Sequence, residues 1–195
     1  EVLLRAAFKA VENLKQVAIL VPTTLLCHQH LKTFKARIEK FKYRVEALSR
    51  LVPRKKQKEI IKDIKDHKVD IVIGTHRILQ KDLEFSDPGL LIIDEEQRFG
   101  VSQKEKIKAM HPNIDVISVS ATPIPRTLYM ALTGGRELTN ILTPPKNRKP
   151  IITSVQQYNE KTIQSVIDFE LDRKGQVFYL FNKVSKITSK AAELQ

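Results

Sequence analysis

Leu90-Leu91-Ile92-Ile93-Asp94-Glu95-Glu96-Gln97 places four consecutive apolar residues directly before three carboxylates and an amide. An apolar run without polar alternation is the pattern of a strand buried on both faces, as in a parallel sheet covered by helices. Comparable short runs occupy 17–21, 44–48, 69–73 and 116–119, and 90–93 completes a set of five expected strands. Between them, 25–38 and 54–67 have helical period with charged outer faces, the second opened by Pro53. A further amphipathic helix is expected at 2–11. This alternation predicts the α/β class, a parallel sheet with crossover helices.

After Ala131 the pattern loosens through Gly134-Gly135 and then Thr143-Pro144-Pro145-Lys146-Asn147-Arg148-Lys149-Pro150, which the prolines keep extended. The expected organisation is therefore a first domain over 1–143, a linker over 144–150 and a second domain that begins at 151–195. In the latter, strands are expected at 151–155 and 177–181 and a helix at 162–172, with Gly175 marking the helix end. There is no internal repeat or low-complexity tract. Both ends read as helices without caps, Glu1 is not a Met, and the chain is expected to be a piece of a longer protein.

The net charge of +12 is concentrated. Between Lys32 and Lys68, 14 Lys and Arg face 5 Asp and Glu, a local excess of +9. Such a run is either a solvated helix face or a surface for phosphate. Composition alone leaves both open. Cys27 is the single cysteine, so an intramolecular disulfide and a cysteine-built zinc site are excluded, and a reducing cytoplasm fits. No apolar run approaches the ~18 residues that span a bilayer, and the N-terminus has no signal-peptide layout, so no membrane partner is expected.

Open parallel sheets bind ligands at the carboxyl ends of their strands. In P-loop NTPases an Asp at such an end holds the Mg²⁺ that bridges the β and γ phosphates of ATP, and a neighbouring carboxylate polarises the attacking water. Asp94 is accordingly the candidate metal ligand and Glu95 the candidate base, with Gln97 beside them. The next strand runs into Ser120-Ala121-Thr122-Pro123-Ile124-Pro125-Arg126, where small hydroxyl residues can hydrogen-bond across to the carboxylate loop. Two more loops fall at strand ends, Pro22-Thr23-Thr24 and Gly74-Thr75-His76. Hydroxyls, backbone N–H groups and helix N-termini are common phosphate contacts. Each loop also reads as a helix cap or turn. His76 has no second His at ligand spacing, which argues against a metal role. The Tyr and Phe residues show no base-stacking pattern.

Pro22-Thr23-Thr24-Leu25-Leu26, Gly74-Thr75-His76, Asp94-Glu95-Glu96-Gln97-Arg98-Phe99-Gly100-Val101 and Ala121-Thr122-Pro123-Ile124-Pro125-Arg126-Thr127-Leu128, in this order, resemble the superfamily 2 motors of the bacterial transcription-repair coupling factor family and of RecG-type branch-migration helicases. Asp94-Glu95-Glu96, Lys104-Glu105-Lys106-Ile107-Lys108 and Thr143-Pro144-Pro145 favour the coupling factors. Val177-Phe178-Tyr179-Leu180-Phe181-Asn182-Lys183-Val184 looks like the first motif of the second motor domain.

The resemblance implies two RecA-like domains of the P-loop NTPase fold, the second only begun. It also implies an ATP- and Mg²⁺-dependent double-stranded DNA translocase that displaces stalled RNA polymerase and recruits nucleotide excision repair. Polymerase and repair proteins would be engaged through domains not in this chain. On the same basis Thr23, Thr24, Gly74, Thr75 and Asn182 would track the DNA backbone, with Pro22 and His76 in the same loops. Ser120, Ala121 and Thr122 would couple nucleotide to DNA, assisted by Arg126. No Gly-x-x-x-x-Gly-Lys-Thr loop occurs in the chain, and Glu1 to Asn13 resembles the helix that follows it, so this segment alone is expected not to turn over ATP. The contrasting expectation is a non-catalytic nucleic-acid-binding module that keeps the fold and the basic face.

Overall fold

A computed structural model describes residues 1–99, 114–121, 137–145 and 151–194. The chain divides into two compact units, Glu1–Thr139 and Asn140–Gln195. The first carries α1 (Val2–Glu12), β1 (Gln16–Leu20), α2 (Thr24–Ile38), β2 (Val45–Leu48), α3 (Arg54–Lys65), β3 (Ile71–Gly74), β4 (Pro88–Asp94) and β5 (Asp115–Val119). The five strands form one parallel sheet in the order β2-β3-β1-β4-β5. The expected α/β architecture is observed, with boundaries moved by one or two residues at most strand and helix ends.

Alternate residues of each strand feed opposite faces. Val17, Ile19, Val45, Ile71, Ile73, Leu90 and Ile92 join Leu4, Ala7 and Val11 of α1 and Cys27, Phe34 and Ile38 of α2 in one core. Ala18, Leu20, Leu48, Val72, Leu91 and Ile93 join Ile60 and Ile64 of α3 in the other. Because both faces are covered, the inner strands β3, β1 and β4 show no polar alternation. Burial pushes the Cys27 thiol up to about 11, so it stays protonated at neutral pH.

β1 begins one residue earlier than its apolar run suggests, at Gln16, which is fully buried. Its amide donates to Ile64 O at 2.8 Å and Val69 O at 2.9 Å, and its carbonyl accepts from Ser86 N at 2.8 Å and Asp87 N at 3.1 Å. One side chain thereby ties the end of α3, the entry to β3 and the entry to β4 to the base of the central strand.

Among the described residues, three α-helices end on a left-handed residue that is not glycine. After α1, Leu14 takes the left-handed conformation (φ 60°) while Lys15 N donates to Ala10 O and Leu14 N to Val11 O, the Schellman pattern. His67 (φ 54°) does the same after α3. A side chain in this region costs about 1–2 kcal/mol, and Leu14 is 76% exposed, so it recovers little by burial. Leu14→Gly is therefore expected to raise stability by about 0.5–1 kcal/mol, after allowing for the extra freedom of glycine in the unfolded chain. A urea midpoint equal to or below wild type would contradict this.

In the second unit, α4 (Glu160–Asp172) is capped by Asn159, whose side chain accepts from Thr162 N at 3.2 Å, and α5 (Ile187–Glu193) follows. Lys174 (φ 59°), not Gly175, takes the left-handed position after α4. The strands expected at 151–155 and 177–181 are not formed. A strand needs ladder partners to satisfy its N–H and C=O groups. Among the described residues none runs alongside these segments, and Ile152, Val155, Phe178 and Leu180 are each more than nine-tenths exposed. No described helix is long and apolar enough to cross a membrane.

Candidate functional site

The chain leaves β1 towards β2 on one side and β4 towards β5 on the other, while β1 and β4 are neighbours with Leu20 opposite Ile93. Their carboxyl ends therefore flank a topological switch point, where open α/β sheets bind ligands. Asp94, the last residue of β4, lies opposite Val119 of β5, and its side chain is 18% exposed. It follows Leu90 and Ile92 on the face covered by α2, and His30 Nε2 of α2 lies 2.8 Å from Asp94 Oδ2. The His30 ring also sits 6.2 Å, centroid to centroid, from Phe34 one turn further on, which is buried in the core.

Glu95 follows with φ 53° and ψ 49°. A non-glycine residue in this conformation is strained and is often held at a functional turn. It reverses the chain at once into a 3-10 turn, Glu96–Arg98, so that Gln97 folds back and its amide donates to the Glu95 carboxylate. Ser120, just past β5, donates its hydroxyl to Gln97 Oε1 at 2.7 Å. Asp94, Glu95, Gln97 and Ser120 are thus gathered at one mouth of the sheet, and a hydrogen-bonded series runs Ser120, Gln97, Glu95. Ala121 is exposed beside it. Thr122 and Arg126 lie outside the described residues, as do Lys104 to Lys108 and the last part of the expected linker, 146–150.

Among the described residues no cluster of three or more His, Cys, Asp or Glu could cage a metal ion. A single carboxylate at a strand mouth suits Mg²⁺ in a different way, because Mg²⁺ takes one or two protein carboxylates and completes its octahedron with phosphate oxygens and water. Asp94 fits that part.

The two other loops open from the carboxyl ends of β1 and β3. Thr23 caps α2, its hydroxyl oxygen accepting from Leu26 N at 3.2 Å, which leaves the hydroxyl proton for an outside acceptor. Pro22 and Thr24 are half-buried beside it. At Gly74 an added Cβ would lie 2.4 Å from Leu48 O and 2.8 Å from Ile78 Cγ1, so only glycine fits between β2 and the 3-10 turn His76–Leu79. Thr75 is 4% exposed, and His76 is the exposed residue of this loop. Arg77 is committed inward, to Gln57 Oε1 at 3.0 Å and to both oxygens of Asp82, whose carboxyl it holds below its ordinary range. Asn182, in the second unit, is exposed. On α3, Arg54, Lys55, Lys58 and Lys62 are exposed, whereas Lys56 faces Glu59 and Lys65 bonds Glu84. The sequence reading missed His30 and the buried Gln16. Both show up only through partners distant along the chain.

The comparisons with known proteins agree on the family. The chain is 53% identical over 194 residues to the transcription-repair-coupling factor of Bacillus subtilis (strain 168), which covers all of this chain and 16% of that protein. It is 51% identical to that of Escherichia coli (strain K12), over 99% of this chain and 17% of that protein. The chain thus spans about a sixth of the length of these curated relatives. Among solved structures it is similar to RecG bound to a three-way DNA junction, with a TM-score of 0.71 and 29% identity, covering 97% of this chain and 26% of that one. The parallel sheet with its crossover helices is the RecA-like fold that this neighbour shares. The model of the DEAD/DEAH box helicases matches residues 1–131, the stretch that contains the whole sheet and every site residue up to Arg126, and the chain belongs to that family.

Proposed function

We propose that this chain is part of the ATP-driven motor of a transcription-repair coupling factor, a double-stranded DNA translocase that displaces stalled RNA polymerase and recruits nucleotide excision repair in the cytoplasm. Residues 1–143 belong to its first motor domain, 144–150 to a linker and 151–195 to the start of the second. Identity of about half over the whole chain supports the coupling factor over a RecG-type helicase, whose similarity is 29%.

The observation that carries the motor reading is the Ser120, Gln97, Glu95 series beside Asp94 at the switch point. Asp94 would hold Mg²⁺ against the ATP phosphates, and the bound cation would neutralise charge on the transferred phosphoryl group. Glu95 orients and deprotonates the attacking water. Gln97 holds the Glu95 carboxylate, and Ser120 fixes Gln97, so a shift of the loop after β5 changes where the base points. Thr122 and Arg126, which follow Ser120 in the sequence, carry the coupling to DNA. Thr23, Thr24, Gly74, Thr75, His76 and Asn182 supply hydroxyl, backbone and amide contacts that grip phosphates without reading sequence.

Translocation by the full-length protein is measured by its displacement of a third strand from a triplex-bearing duplex. ATP should drive displacement, and a non-hydrolysable analogue should not. Absence of ATPase stimulation by duplex DNA would overturn the reading. Displacement of a stalled RNA polymerase separates the coupling factor from the RecG alternative.

A further inference from the structure

We infer that His30 is a positioning residue that ties the cation-holding carboxylate Asp94 to α2, and so connects the nucleic-acid loop at the head of that helix to the nucleotide site; this rests on the motor reading above. The contact joins residues 64 apart in the chain, His30 Nε2 to Asp94 Oδ2 at 2.8 Å, with both side chains about four-fifths buried. Two groups neighbour the imidazole, the Asp94 carboxylate and the Phe34 ring. Phe34 is 2% exposed and belongs to the core shared by α2 and the sheet, so the ring is anchored to the body of the fold.

A strand-end carboxylate has two oxygens and free rotation about χ2. An N–H donor on Oδ2 removes one orientation and leaves Oδ1 as the outward ligand. Partners behind a metal ligand act in this way, and their loss typically costs 10–100-fold in metal affinity. The helix that supplies the donor is the one whose N-cap is Thr23 and whose first residue is Thr24. His30 lies seven residues beyond Thr23, two turns or about 10 Å along the axis. A helix of this length moves as a rigid rod, so phosphate contacts that shift its head also shift the donor on Asp94. This route is separate from the Ser120, Gln97, Glu95 series, which reaches the base from β5.

The test compares His30→Ala and His30→Gln with wild type in the full-length protein. Gln places an Nε2 donor the same number of bonds from Cα as the imidazole Nε2. Binding of a fluorescent non-hydrolysable ATP analogue is titrated with and without Mg²⁺, and ATPase is measured with and without duplex DNA. In His30→Ala the Mg²⁺ concentration for half-maximal binding should rise about tenfold, Mg²⁺-free binding should be unchanged, and the stimulation ratio by DNA should fall. His30→Gln should restore most of both. An unchanged Mg²⁺ requirement and stimulation ratio in His30→Ala would overturn the inference, as would equal losses with and without Mg²⁺, which indicate a merely structural role. Wild-type protein that binds no nucleotide in the presence of Mg²⁺ would instead overturn the motor reading and this inference with it.

Discussion

Glu95→Gln in the full-length protein should lower kcat for DNA-stimulated ATP hydrolysis about 10²–10³-fold while leaving the affinity for Mg²⁺-nucleotide within a few-fold of wild type. A positioned general base contributes about 10²–10⁴ in rate, so the loss corresponds to about 3–4 kcal/mol in the barrier. The amide is isosteric with the carboxylate, and its oxygen can still accept from the Gln97 amide, so the turn after β4 should keep its shape. The left-handed backbone of residue 95 depends on the turn and not on which of the two side chains it carries. What disappears is the ability to take a proton from water. Asp94, one residue away, should behave differently: as the proposed cation ligand, its change to Asn would remove the negative charge that faces the cation and weaken nucleotide binding itself. If Glu95→Gln kept more than a tenth of wild-type kcat, the base would have to lie elsewhere at the mouth of the sheet.

The second large effect concerns stability. Gln16→Ala should destabilise the first unit by about 3–5 kcal/mol, read as a lower urea midpoint at unchanged m-value. Four hydrogen bonds converge on this buried side chain. Truncation leaves Val69 O and the N–H groups of Ser86 and Asp87 without their partner, whereas Ile64 O keeps the His67 N–H; each unsatisfied buried group costs about 1–3 kcal/mol, relieved in part where Ser86 and Asp87 can reach water. Against a total stability of about 5–15 kcal/mol this is a large fraction. Gln16→Glu should be worse at neutral pH, since a carboxylate cannot donate to Ile64 O and Val69 O and would be buried as a charge. A loss below 1 kcal/mol for Gln16→Ala would mean that water replaces the amide at little cost.

Much of the architecture is legible in the chain because strands covered on both faces must be apolar at every position, and that leaves short runs such as 90–93 visible without knowing their neighbours. The same reasoning overreached at 151–155 and 177–181. Their composition has strand propensity, but propensity does not supply a ladder, and the described structure has no strand beside them. Gly175 is a similar case: glycine is the commonest residue after a helix end, yet Lys174 takes the left-handed position. The acidic turn was legible by type and place, Asp94 and Glu95 after an apolar strand. The contacts that orient the two carboxylates were not, since His30 reaches Asp94 from 64 residues away and Ser120 reaches Gln97, the partner of Glu95, from 23 residues away.

What the sequence by itself determined is the strands and helices of residues 2–119, the position of Pro22, Gly74, Asp94 and Ser120 at or next to strand ends, and the resemblance to a family of DNA motors, because local period and residue order survive without tertiary contacts. Only the tertiary structure decided that β1 lies between β3 and β4, and therefore that the Thr23 helix and the Asp94 strand end share one crevice. The order of strands follows from which faces and edges bury together, a sum over residues far apart in the chain. For that reason His30 behind Asp94, the four bonds of Gln16 and the Ser120, Gln97, Glu95 series have no local signature, although they set how the carboxylates at the end of β4 are held.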